Sequence, residues 1–195
     1  MTARKYIFMT GAPGSRWSSV AHGIYWSNDI DHSDYHENRS YNSNKESAPA
    51  MHIGAYWDPG MEFDPDNWDG PFSGSGVRMV KSHTFAHKLN QLKDFGHPIV
   101  MVYRNDYECL IHWLKAGGFD ITYPNYKPYY KDIPNMWIQI QKQNSDIMKF
   151  IYSNESRVTK VENNYELCKS LNITNIGCGS ITNYMLKDIA VYVYR

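Results

Sequence analysis

Three short stretches carry side chains that do chemistry, and each stands where an apolar run gives way to polar residues. The first is Gly11-Ala12-Pro13-Gly14-Ser15-Arg16-Trp17-Ser18, directly behind the apolar, β-favouring Tyr6–Met9. A glycine-bearing turn between a strand and a helix presents backbone N–H groups and the helix's positive end, and both attract phosphate. Arg16 adds a guanidinium able to grip two phosphate oxygens at once. The alternative is a tight turn with Arg16 in solvent. A nucleotide-hydrolysing loop ends in Gly-Lys-Ser/Thr, but counted from Gly11 those places hold Arg16, Trp17 and Ser18. The second stretch is Lys81-Ser82-His83, whose imidazole, with an ordinary pKa of ~6.5, can take a proton from an attacking hydroxyl at neutral pH. The alternative is a polar residue that caps the next helix. The third is Tyr103-Arg104-Asn105-Asp106, with His112 further along. An arginine between a buried strand and a helix is again placed for an anion, unless it merely forms an ion pair at the helix start.

These residues need a frame. Lys5 to Thr10 reads as a buried strand and Ser18 to Asn28 as a helix with Val20, Ala21, Ile24 and Tyr25 on its apolar side. Val77 to His83 is a second strand, followed by a helix over about 84–95. Pro98 to Arg104 is a third, and its unbroken Ile99-Val100-Met101-Val102 suits a strand covered on both faces. Asn105 to Lys115 reads as a helix capped by Asn105 or Asp106. Pro134 opens a long helix reaching about Tyr152, with Trp137, Ile140, Ile147, Met148 and Ile151 as its stripe. Val158–Val161 is a short strand, Tyr165–Leu171 a helix, and Asp188–Arg195 alternates as a terminal strand that would suit pairing across a homodimer. Strand and helix in alternation predict an α/β fold: one domain over 1–195, a mainly parallel sheet flanked by helices. Ligands of such sheets sit beyond the strands' carboxyl ends, so His83 is expected to face the same crevice as the Gly11 turn.

Residues 29–76 are rich in Asp, Asn, Ser, Gly and Pro without a sustained period, the texture of a long loop or lid. Within it, Asp29, Asp31, His32, Asp34, His36 and Glu37 raise a metal reading, but the stretch reads as loop and the expectation is a solvated one without metal. Tyr56-Trp57, Trp68 and Phe72 would offer an aromatic platform to a sugar ring or flat acceptor.

The 20 basic and 20 acidic side chains cancel, so no long-range basic field for nucleic acid is expected. No apolar run approaches the ~20 residues that span a bilayer. The opening residues lack a secretory pattern. Cys109, Cys168 and Cys178 lack metal spacing and read as reduced thiols of a cytoplasmic protein. The Asn-x-Ser/Thr triplets at Asn38, Asn154 and Asn172 are then incidental.

Taken in order, the three stretches resemble the sulfotransferases that use 3′-phosphoadenosine 5′-phosphosulfate (PAPS). Pro13-Gly14-Ser15-Arg16-Trp17-Ser18 is similar in frame to that family's Pro-Lys-Ser-Gly-Thr-Thr-like loop. Gly14 falls where the lysine sits and Arg16 where the glycine sits. Lys81-Ser82-His83 resembles its Lys-Thr-His, whose histidine is the catalytic base, and Arg104-Asn105-Asp106 resembles its Arg-Asn-Pro. A serine eight places past that arginine shares the 3′-phosphate in the family; here the place is His112. Gly177-Cys178-Gly179-Ser180 is the nearest stretch to its C-terminal Arg-Lys-Gly loop.

The resemblance covers about Lys5 to Lys115. It implies a P-loop-like fold and sulfuryl transfer from PAPS to a small-molecule or glycan hydroxyl or amine. The Gly11–Ser18 turn (Gly11, Ala12, Pro13, Gly14, Ser15, Arg16, Trp17, Ser18), Arg104 and His112 would hold the donor. His83 would act as base, with Arg16 and Lys81 at the transferring group. Trp17 would stack on adenine or pack in the core. Two rivals stand beside it: a magnesium-dependent kinase or NTPase, and a nucleotide-binding module without chemistry.

Overall fold

The computed structural model describes residues 6–35, 65–121, 126–174 and 188–195. Five strands, β1 (Tyr6–Gly11), β2 (Arg78–Lys81), β3 (Ile99–Tyr103), β4 (Val158–Val161) and β5 (Ala190–Tyr194), form one sheet in the order β2-β1-β3-β5-β4. β1 pairs in parallel with both β2 and β3. β5 lies antiparallel to both β3 and β4, so four strands run one way and β5 against them. The helices are α1 (Trp17–Tyr25), α2 (Leu89–Asp94), α3 (Asp106–Lys115), α4 (Lys127–Tyr130), α5 (Ile133–Ser153) and α6 (Asn164–Leu171).

Both faces of the sheet are covered, as the unbroken apolar run of β3 requires. Val100 and Val102 join Ile7 and Met9 in a core with Val20 and Ile24 of α1, Trp113 of α3 and Leu167 of α6. Ile99 and Met101 join Phe8 and Val80 in a second core with Phe85, Leu89 and Leu92, and with Ile147 and Phe150 of α5. Successive side chains of a strand point to opposite faces, and that alternation divides the two cores. α1 therefore lies on one face and α2 on the other. The chain leaves β1 for β2 on one side and returns past it to β3 on the other. A reversal of this kind opens a crevice at the carboxyl end of β1.

Several expectations change. The helix expected over 84–95 is a 3-10 helix, His83–Lys88, followed by the short α2. β5 is interior, hydrogen-bonded on both sides, so it has no open edge for pairing with a second copy. Its alternation reflects two unequal faces, not an edge. The stripe of α5 is Met136, Ile140, Ile147, Phe150 and Ile151, interrupted by buried Gln143 and Asn144. Trp137 sits off it, its ring 4.9 Å from Tyr107.

The stretch after α1 is not a solvated loop in its described part. Asp31 is 5% and Asp34 3% exposed. Ser33 N–H donates to Asp31 Oδ1 at 2.9 Å, and Tyr25 hydroxyl to Asp34 Oδ1 at 2.7 Å. Arg78 faces both Asp31 and Asp69. A bridge from Ile30 to Val77 ties this stretch to the start of β2. Trp68 is 1% exposed within the second core, and Phe72 lies beneath the Arg78 guanidinium, so neither is a platform for an acceptor. His36, Glu37, Tyr56 and Trp57 lie outside the described residues, as does Gly177-Cys178-Gly179-Ser180. Among the described residues no helix is long and apolar enough to cross a membrane, and no three His, Cys, Asp or Glu side chains are grouped to hold a metal ion.

Candidate functional site

The turn after β1 is shaped by its two glycines. A Cβ on Gly11 would stand 2.5 Å from Ser15 Oγ and 3.0 Å from the Val102 carbonyl of β3, so only glycine lets the turn fold back there. Ser15 N–H donates to the Ala12 carbonyl at 2.9 Å, closing the turn around Pro13 and Gly14. Gly14 has φ +80°, and Arg16 follows in the left-handed region at φ 66°. That costs a non-glycine residue on the order of 1–2 kcal/mol. α1 begins at the next residue, with no side-chain cap and no acidic residue in its first turn.

α3 forms the other wall. Asn105 caps it, Oδ1 accepting from the N–H groups of Tyr107 and Glu108. Asn144 of α5 donates to the Arg104 carbonyl at 2.8 Å and to Asp106 Oδ1 at 2.6 Å, which fixes where Arg104 leaves β3. Arg104 is 4% exposed; Nη1 donates to the Gly14 carbonyl at 3.2 Å and Nη2 to Glu108 Oε2 at 3.3 Å. The third arginine nitrogen, Nε, is buried without an acceptor among the described residues, and so are Nε of Arg16 and the hydroxyls of Ser15 and Ser19. Buried donors are rarely left so.

The electrostatics agree. Burial first, and then the charge of Arg16, lower the pKa of Arg104. His112, one turn beyond Glu108, is pushed down to about 4 by burial and by the charges of Arg16, Arg104 and Lys115. Arg16, Arg104 and His112 therefore lie in one another's field. Like charges gathered in a half-buried place oppose each other, and an anion between them removes that cost.

His83 is fully buried, which corrects the expectation that its ring faces the crevice. Its Nδ1 meets the Gly11 carbonyl, and its Nε2 stands 3.2 Å from the Tyr126 hydroxyl. Because a carbonyl only accepts, Nδ1 carries the proton and Nε2 the lone pair. Burial pushes the imidazole down to about 3, with the Lys81 charge acting in the same direction and the Gly11 carbonyl against it. Trp17 packs in the core at 3% exposure, 4.6 Å from the His83 ring, which decides between its two expected fates in favour of packing. Lys81 is 2% exposed and its ammonium lies 5.8 Å over the Trp17 ring. Burial lowers its pKa to about 8, and Asp34 draws it back up.

The sequence reading did not single out Tyr126 and Asn144. Tyr126 belongs to an aperiodic Tyr-, Pro- and Lys-rich stretch, and Asn144 is one of several polar residues on α5; no spacing marks either. No family model, curated protein or solved structure matches this chain.

Proposed function

We propose that this protein moves a sulfuryl group from PAPS to an acceptor hydroxyl or amine, on a P-loop-like frame and without a metal. The observation that carries the reading is the convergence of Arg16, Arg104 and His112 on the β1–α1 turn, where four buried donor groups lack an acceptor among the described residues. The donor would supply an activated sulfuryl group and two phosphate groups. Arg104 and His112 would hold its 3′-phosphate. The Gly11–Ser18 turn and Arg16 would hold the 5′ end, where Arg16 would offset charge gathering on the bridging oxygen. A sulfuryl group carries less charge than a terminal phosphoryl, so no cation bridging two phosphates is required. The absence of Gly-Lys-Ser/Thr at the end of the turn counts against a magnesium-dependent kinase. Buried thiols at Cys109 and Cys168 suit a reducing, cytoplasmic setting.

The full burial of His83 favours a second reading, a module that binds the nucleotide and does no chemistry. Calorimetric titration separates the possibilities. Adenosine 3′,5′-bisphosphate is expected to bind in preference to ATP with magnesium. Arg104→Ala is expected to weaken it roughly 10- to 150-fold, the worth of one charge-assisted bond. Binding of ATP alone points to the kinase; binding of neither removes the nucleotide from this site altogether.

A further inference from the structure

If sulfuryl transfer occurs here, a fully buried base must still reach an acceptor. We propose that Tyr126 is the group through which His83 does so, its phenol hydroxyl relaying the acceptor's proton to Nε2. The inference rests on the transfer reading above.

The geometry fixes the direction of the relay. With Nδ1 donating to the Gly11 carbonyl, Nε2 can only accept, and the hydroxyl 3.2 Å away is a donor aimed at it. Direct contact between an acceptor and Nε2 would require Tyr126 to leave. Its ring is 4% exposed and packs 5.8 Å from Trp113 and 5.8 Å from Tyr130. Expelling a core aromatic exposes its ring and leaves a cavity, whereas passing a proton along an existing hydrogen bond moves no ring. Trp17 closes the other side of the imidazole.

The step balances. The acceptor's O–H bond breaks as its proton joins Tyr126 Oη. The proton that Oη held joins Nε2, leaving an imidazolium and an acceptor oxygen with a free electron pair. Burial, and after it the Lys81 charge, oppose that imidazolium.

The experiment uses the full chain and Tyr126→Phe, which keeps the ring. In wild-type protein with ¹⁵N-labelled histidine, His83 is expected as a single neutral tautomer protonated at Nδ1, its Nε2 resonance showing a hydrogen bond. In Tyr126→Phe the Nε2 resonance is expected to move toward that of an unbonded ring nitrogen while Nδ1 keeps its proton. Sulfate release from PAPS to water is expected to fall ~10²- to 10⁴-fold in kcat, with the KM for PAPS and the bisphosphate affinity unchanged. His83→Ala combined with Tyr126→Phe should lose no more than either alone. An Nε2 resonance that does not move, or turnover that falls less than about twofold, overturns the relay. Bisphosphate binding without sulfate release to water, and without sulfuryl transfer to any member of a panel of hydroxyl and amine acceptors, by the wild type overturns both transfer and relay and leaves the binding module. Absence of bisphosphate binding overturns the donor site itself, independently of the resonance result.

Discussion

Gly14 backs onto the start of α3 so closely that a Cβ there would lie 1.9 Å from the Cys109 carbonyl oxygen, and its φ of +80° already disfavours any side chain. The position that the resemblance would give to a phosphate-binding lysine is thus closed to one. On the proposed function the cationic task would pass to Arg16, two residues on and itself in the left-handed region. Gly14→Ala is expected to lower unfolding stability by at least about 2 kcal/mol, adding left-handed strain to overpacking. Urea unfolding measures it, and a loss below about 0.5 kcal/mol would mean that the turn does not rest on Cys109 as described. Arg104 owes its place to other residues in the same way. Gly14, Glu108 and Asn144 each touch it or its carbonyl, so the guanidinium is set by the packing of β3 against α3 and α5.

α3 shows how one element turns a local signal into a site. Asn105 follows Arg104, the residue directly after β3, and its side chain satisfies two first-turn N–H groups. Asn105→Ala is expected to cost about 1 kcal/mol of stability. It should also weaken bisphosphate binding, because the helix start directly after Arg104 frays. Stability loss with undiminished affinity would show that Arg104 does not depend on the cap. β5 teaches the converse lesson. Its alternation of Ile189, Val191 and Val193 with Ala190, Tyr192 and Tyr194 describes unequal faces, and that pattern is the same for an edge strand and an interior one. Its pairing with β3 and β4 is a long-range fact that no residue near it encodes. The 3-10 helix after β2 was likewise hidden, since Phe85, Ala86 and Leu89 satisfy a helical stripe under either geometry.

Across the whole molecule, burial of titratable groups ties stability to pH. His83 is held neutral, its pKa lowered to about 3. An unfolded chain takes up a proton at this residue as pH falls through ~6.5, and the folded chain does not. The stabilisation is therefore complete above ~6.5 and is lost as pH falls, by about 1.4 kcal/mol per pH unit. His112, lowered to about 4, acts in the same direction. Urea unfolding at about pH 7 and about pH 5 is expected to differ by about 2 kcal/mol from His83 alone, and His83→Gln should remove that part of the difference and leave the part due to His112. Equal stability at both values would contradict a neutral, buried His83.

The residue pattern by itself determined the α/β class, the strands β1 to β4 to within about two residues at either end, and a cap at Asn105 or Asp106, of which the structure shows Asn105. Those follow from apolar periodicity and turn chemistry, which act over a few neighbouring residues. Only the tertiary structure decided that Trp17, Trp68 and Asp31 are buried, that β5 runs against its neighbours, and that the Tyr126 hydroxyl stands 3.2 Å from His83 Nε2. Each of these depends on which distant segments share a surface, and distance along the chain carries no local signal of that.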